Sequence, residues 1–170
     1  PNELMSFKKE FKRLRDLALE GKVITEEMLA FDNEWVPCAA DHYDSIYFRM
    51  ITDVTVFHSP TYATVIDHKT GRKFGNEVKH AQQAQLYQLG AFLRYPNLEE
   101  VTTEIWYLDQ DDISSMHFTR KQGERFLKFW QGRMEEMCNE TEFLPSPNGI
   151  SCRWCPYKPG RTGDCSVGIP

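Results

Sequence analysis

The sequence predicts a mixed α/β domain, a central sheet flanked by helices, with a cysteine-rich C-terminal tail. Three observations predict it. The chain opens on apolar residues at three- and four-residue spacing. It continues through runs rich in β-branched and aromatic residues. It then twice returns to the helical period, giving the order helix, strands, helix, strand, helix. At 170 residues it is long enough to bury one core and too short for two independent ones. Residues 1–140 are therefore read as the core of a single domain and residues 141–170 as a segment belonging to it.

Leu4, Phe7, Phe11, Leu14 and Leu17 form the first apolar stripe and Gly21 follows, so an amphipathic helix is expected over about residues 3–20, its stripe in the core. Residues 28–35 read as a short strand. Residues 46–57, ending at His58-Ser59-Pro60, and residues 62–67, ending near Thr70-Gly71, read as a hairpin. Over residues 76–95, Val78, Ala81, Gln85, Leu89 and Phe92 fall on one side of a helix that Pro96 ends. Residues 101–108 form a further strand and residues 115–118 a short one. A second long helix over about 119–138 carries Phe126, Leu127, Phe129, Trp130, Met134 and Met137. Beyond Thr141, Pro, Gly and Cys dominate with neither helical nor strand period, and such a tail needs another source of order.

A net charge of -5 and a pI of about 5.6 argue against a protein that coats nucleic acid through its overall charge. They leave room for an enzyme that collects carboxylates around a metal and keeps its basic groups local. Lys8, Lys9, Lys12, Arg13 and Arg15 gather on the first helix, where a solvated face is the plainer reading. No segment approaches the roughly 18 apolar residues in a row of a membrane helix, so no membrane partner is expected. Residues 1–9 show no secretory pattern, and the five cysteines are odd in number, so structural disulfides are not expected either.

Two carboxylates stand out because of their neighbours. Asp53 sits between Ile51 and Val54, and Asp67 directly follows Val65 and Ile66. A carboxylate in an apolar strand costs free energy unless it is paired or binds a metal. Lys69 is two residues beyond Asp67, and strand side chains two apart share a face. Antiparallel pairing of the hairpin would bring Asp53 beside them. Two carboxylates on adjacent strands suit a hard divalent cation such as Mg²⁺, with the backbone carbonyl of His68 as a further ligand. Such a cation polarises a phosphate oxygen and lowers the pKa of bound water, and Lys69 would offset charge developing on the phosphate. By itself Asp67-His68-Lys69-Thr70-Gly71 is more simply a polar turn with a surface salt bridge.

The wider pattern resembles the PD-(D/E)xK nuclease superfamily, especially its branch of RecB-like and CRISPR-adaptation nucleases and related phage proteins. In that family an acid on one strand is followed, about a dozen residues later, by acid-x-lysine on the next. A helix carrying Gln-x-x-x-Tyr comes after it. Here stand Asp53, then Asp67-His68-Lys69, then Gln83-Ala84-Gln85-Leu86-Tyr87. The resemblance runs from about Glu26 to Cys165 and implies a restriction-endonuclease-like core. It implies Asp53 and Asp67 as metal ligands, Lys69 as the catalytic lysine, and Gln83 and Tyr87 as helix residues that help hold the site and the nucleic-acid strand. Family members often add an upstream acid or His; Glu27 or its neighbour Glu26 is the candidate here, with an N-cap role after Thr25 as the alternative.

Cys152, Cys155 and Cys165 give C-x2-C-x9-C in the tail, a spacing that lets thiolates reach one metal. In the RecB-like branch three C-terminal cysteines join one far upstream to hold a four-iron four-sulfur cluster. By that analogy Cys38 is the fourth ligand, with Cys138 or a residue beyond this sequence as rivals, and zinc is the chemical alternative to the cluster. Trp154 and Tyr157 would pack over it or stack on bases. The resemblance implies a Mg²⁺- or Mn²⁺-dependent deoxyribonuclease, an exonuclease in recombination, repair or phage DNA processing. Its expected setting is a bacterial or phage-infected cytoplasm, its partners DNA single strands or duplex ends and recombination or replication proteins. The alternative is a zinc-stapled module that binds DNA or protein without cutting.

Overall fold

The computed structural model describes residues 6–71, 73–163 and 165–169. Helix α1 (Lys8–Leu19) precedes strands β1 (Val23–Phe31), β2 (Pro37–Cys38), β3 (Phe48–Ser59) and β4 (Tyr62–Lys69). Helix α2 (Glu77–Arg94), strands β5 (Glu100–Tyr107) and β6 (Asp112–Thr119), and helices α3 (Arg120–Asn139) and α4 (Gly149–Trp154) follow. Two compact units result, one through Gln131 and one from Gly132, and each is taken by itself. Among the described residues no helix is long and apolar enough to cross a membrane.

The first unit is built on one six-stranded sheet of order β2-β1-β3-β4-β5-β6. Every neighbouring pair is antiparallel except β4 and β5, which run parallel from Tyr62 opposite Glu100 to Lys69 opposite Tyr107. A parallel pair needs a crossover, and α2 supplies it. On one face Phe7 and Leu14, at the start and in the middle of the first segment, pack with Val54, Val56, Ile66 and Trp106. On the other, Tyr87, Ala91 and Phe92 of α2 pack with Ala63, Val65, Val101 and Phe118. Strand β4 is covered from both sides and is buried without interruption from Ala63 to Asp67. That is why its apolar residues are contiguous instead of alternating.

Asp53 marks a break in this regularity. Pairing of β1 with β3 runs from Val23 opposite Val56 to Thr25 opposite Val54 and resumes at Glu27 opposite Thr52. Glu26, the omitted partner of Asp53, has the left-handed φ of 51°. On the other edge, β3–β4 pairing stops at Val54 opposite Ile66, one step before Asp53 would face Asp67. The alternation of faces is lost here as well: Thr52 and Thr55, three apart, join hydroxyls at 3.3 Å, and Met50 packs on the α2 face while Val54 packs on the α1 face. The strands fork at the acids.

Helix α2 approaches the sheet closely because it carries no side chain at Gly90. A Cβ there would lie 2.7 Å from both Sδ and Cε of Met50. Gly123 of α3 is equally tight, a Cβ meeting the Phe92 ring at 2.5 Å. Arg120 then ties down the end of α2. Its guanidinium donates to the carbonyls of Leu98 (2.7 Å), Phe92 (3.2 Å), Tyr95 (3.0 Å) and Pro96 (2.9 Å) and covers the Phe92 ring.

Three expectations shift. The strand expected over 28–35 begins at Val23 and ends at Phe31, because Asp32 turns the chain by accepting from the amides of Glu34 and Val36, both at 2.9 Å. The expected α2 stripe holds at Leu89 and Phe92, both buried, but drifts toward the helix start: Val78 is 73% exposed, and Ala84, Tyr87, Gln88 and Ala91 join the core. Tail residues 149–154, read as aperiodic, form α4 under an Asn148 cap that accepts from Ile150 N (3.0 Å) and Ser151 N (2.9 Å). Phe129 and Met137 of α3 are exposed. Leu4 and the predicted helix start at residue 3 lie outside the described residues.

Candidate active site

Asp67 lies two residues from the end of β4 and is 3% exposed. Its Oδ1 accepts from the Tyr87 hydroxyl at 2.8 Å and from Gln83 Nε2 at 3.2 Å, and Gln83 Nε2 also donates to the Tyr87 oxygen at 2.6 Å. Gln83 and Tyr87 are four apart on α2, one above the other on the face turned to the sheet. Burial first, and then the Asp67 charge, push the Tyr87 phenol well above its ordinary range, so it stays a neutral donor. The second oxygen, Oδ2, lies 2.7 Å from Lys69 Nζ. That approach is an ion pair outside hydrogen-bond alignment, for Oδ2 is a buried oxygen without a hydrogen-bond partner. A buried carboxylate oxygen left in this way has lone pairs to give to a cation.

Asp53 is less buried, with 31% of its side chain exposed, and its Oδ2 accepts from the backbone N–H of His68 at 2.7 Å. A side chain thus replaces the ladder bond that the fork removes. The His68 ring turns to the other face, between Phe11 and Trp106, with its Nδ1 at 3.6 Å from Asp53 Oδ2. Burial lowers its pKa against the opposing pull of Asp53, Asp67 and Glu26, which puts the Glu26 carboxylate within electrostatic reach of the fork.

Of the expected residues, Asp67, Lys69, Gln83 and Tyr87 are in direct contact, and Asp53 joins them through the fork. Glu27 does not. The Tyr95 hydroxyl bridges its two oxygens at 2.6 and 2.7 Å, and Arg94 Nε stands 3.9 Å away, at the far end of α2. Glu26 is the acid opposite Asp53. One pair was absent from the sequence reading: His80 Nδ1 and the Tyr107 hydroxyl at 2.6 Å. His80, Gln83 and Tyr87 do share the i, i+3, i+7 spacing of one helix face, and that was the available signal.

Two carboxylates suit a divalent cation that keeps most of its waters, with Asp67 Oδ2, which Lys69 pairs by charge alone, as its natural first ligand. Among the described residues no three His, Cys, Asp or Glu gather around one point, so the remaining ligands would be water, phosphate and backbone. The same holds for the tail. Cys152 is buried and Cys155 and Cys165 half-buried, all as free thiols, and they do not converge as a ligand set in this structure. Trp154 and Tyr157 are exposed instead of packed, with the Arg153 guanidinium 5.2 Å from the Trp154 ring. Cys38 pairs with Ala30 on the edge strand β2, and Cys138 is exposed on α3.

A mixed sheet with one parallel pair, its crossover helix, and an acid-x-lysine at the end of the first parallel strand together define a restriction-endonuclease-like α/β fold. The family model of the PD-(D/E)XK nuclease superfamily matches residues 5–159, and the chain belongs to that superfamily, whose members are generally metal-dependent nucleases. A solved structure titled "Crystal structure of SSO0001" is 13% identical, with a TM-score of 0.41 over 98% of this chain and 81% of that one. No match was found among curated proteins.

Proposed function

We propose that the chain is a Mg²⁺- or Mn²⁺-dependent deoxyribonuclease of the RecB-like branch, an exonuclease acting on DNA single strands or duplex ends in recombination, repair or phage DNA processing. The observation that carries this is Asp67: a buried carboxylate, held on Oδ1 by Tyr87 and Gln83, with Oδ2 ion-paired to Lys69 at 2.7 Å. Asp53, Asp67 and the His68 carbonyl are the protein ligands of the cation, which when bound supplies Lewis-acid polarisation of the phosphate and of a water. Tyr87 and Gln83 fix the carboxylate's orientation, as outer partners of metal ligands do. Lys69 stabilises the extra negative charge as the water oxygen bonds to phosphorus and the bond to the leaving sugar oxygen breaks. The proton released by the water ends on that leaving oxygen.

The test is cleavage of labelled single- and double-stranded DNA with Mg²⁺, Mn²⁺ or EDTA, by wild type, Asp67→Ala and Lys69→Ala. Wild type should cut with metal and the variants at least about 100-fold more slowly, the scale on which lost charge stabilisation acts. Equal cutting by the variants, or none by wild type with either metal, would refute the reading.

For the tail the reading is a four-iron four-sulfur cluster on Cys152, Cys155, Cys165 and Cys38, with zinc as the alternative. It is supported by the cysteine spacing alone. Protein purified without air should be brown, with broad absorbance near roughly 400 nm. A colourless preparation with stoichiometric zinc overturns the cluster.

A further inference from the structure

The site has a second tier that the acid-and-lysine pattern does not name. Strands β4 and β5 run parallel, and α2 between them in sequence runs back the other way. One step outward along the strands is therefore one turn toward the start of the helix. Asp67 and Ile105 are opposite each other in the ladder, and Tyr87, Gln83 and Ala84 lie over them. Two residues further out, about 7 Å along the strand, Lys69 is opposite Tyr107. One turn back along the helix, about 5 Å, His80 meets Tyr107. His80 thus lies one tier outward of Gln83, over the Lys69–Tyr107 step of the ladder.

Tyr107 is anchored, 1% exposed, and its hydroxyl lies 2.6 Å from His80 Nδ1. Burial holds the Tyr107 phenol neutral, and burial followed by the Lys69 charge holds the His80 imidazole neutral as well. A neutral phenol has one hydrogen to give, and at 2.6 Å it is donated to His80 Nδ1 in the tautomer that serves the site. The imidazole proton is then on Nε2, which has no partner among the described residues and is a free N–H donor. The neighbouring Lys73 is already matched, its ammonium 2.6 Å from Asp112 and 5.5 Å from the Tyr107 ring.

We propose that His80, oriented by Tyr107, is a substrate-binding residue whose Nε2–H holds a phosphate of the nucleic-acid strand beside the one engaged by Lys69. The proposal rests on the nuclease reading, and it adds a backbone contact that sets where the strand lies. A neutral N–H donor next to a lysine suits an anionic phosphate oxygen and carries no base preference.

The test measures affinity for a fluorescent single-stranded oligonucleotide by anisotropy in EDTA, so that nothing is cut, together with KM, kcat and melting midpoint. His80→Ala should weaken binding about 3- to 10-fold, the range of one lost hydrogen bond, and raise KM more than it lowers kcat. Tyr107→Phe, which frees the ring, should give a smaller loss in the same sense, and His80→Gln, which keeps an N–H donor, should recover part of the affinity. Unchanged oligonucleotide affinity with a lowered melting midpoint would make the pair a helix-to-sheet tether and overturn the proposal. A wild type that binds but cuts nothing with Mg²⁺ or Mn²⁺ removes the nuclease reading while the binding comparison still decides the role of His80. No oligonucleotide binding by wild type overturns both.

Discussion

Tyr87 does two things with one oxygen, accepting from Gln83 and donating to Asp67, while its ring closes the α2 face of the core. Tyr87→Phe keeps the ring and removes only the hydroxyl, so the core stays filled while Oδ1 of Asp67 is left with Gln83. We expect metal affinity, read by titration calorimetry with Mn²⁺, to fall about 10- to 100-fold, as it does when an outer partner of a ligand is lost. A calorimetric profile unchanged by the substitution would show that Tyr87 merely packs. Asp67 and Lys69 were legible in the sequence because strand side chains two apart share a face, and Gln83 and Tyr87 through the resemblance to the nuclease superfamily. Glu27 and Glu26 stood as alternatives, and a local feature separates them. Glu26 takes a left-handed φ, the faces of β1 shift there, and the acid opposite Asp53 is Glu26. Period-two alternation cannot anticipate such a residue.

At the scale of elements, the position of α2 depends on Arg120, whose guanidinium reaches four carbonyls where that helix runs out. Water can replace part of that set, so Arg120→Ala should cost about 2 kcal/mol. That is a fall in melting midpoint of roughly 4–8 °C for a domain of this size. Arg120→Lys should recover little, since an ammonium cannot span the fork that the planar group does. A thermal melt of both variants checks it, and full recovery by lysine would mean that charge alone matters. The existence of helices and strands was readable from periodicity. So was the first helix's apolar stripe, whose Phe7 and Leu14 are buried; the drift of the α2 stripe was not, because burial there is set by the angle at which helix meets sheet. Val78 illustrates this: apolar and at the right spacing, it lines an open groove of about 830 Å³ with Phe118, Phe126 and Phe129. The tail helix escaped notice because six residues are too few to show a period, although Asn148 was a legible cap.

For the whole molecule, alkaline pH is the informative axis. Tyr87 and Tyr95 both have phenols raised above the ordinary value of 10.0, by burial first and then by Asp67 and Glu27 respectively. A raised folded-state value means that the unfolded chain releases protons the folded one keeps. The stabilisation is therefore complete below about pH 10 and is lost as pH climbs from there toward the folded values. Melting midpoints taken from pH 8 to 11 should fall, and Tyr95→Phe should flatten the slope; an equal slope in the variant would exclude Tyr95 as a cause. The parallel β4–β5 pair has a consequence for the order of folding. The β3–β4 hairpin closes between Ser59 and Tyr62, whereas Tyr62 must wait for Glu100, a full crossover later in the chain. Loop closure delays such distant contacts, so the acids and lysine can be aligned before α2 and β5 dock. Contacts made late speed unfolding when removed and leave the folding rate nearly unchanged. In stopped-flow measurements, Tyr87→Phe and Gly90→Ala should therefore steepen escape from the native state without slowing its formation.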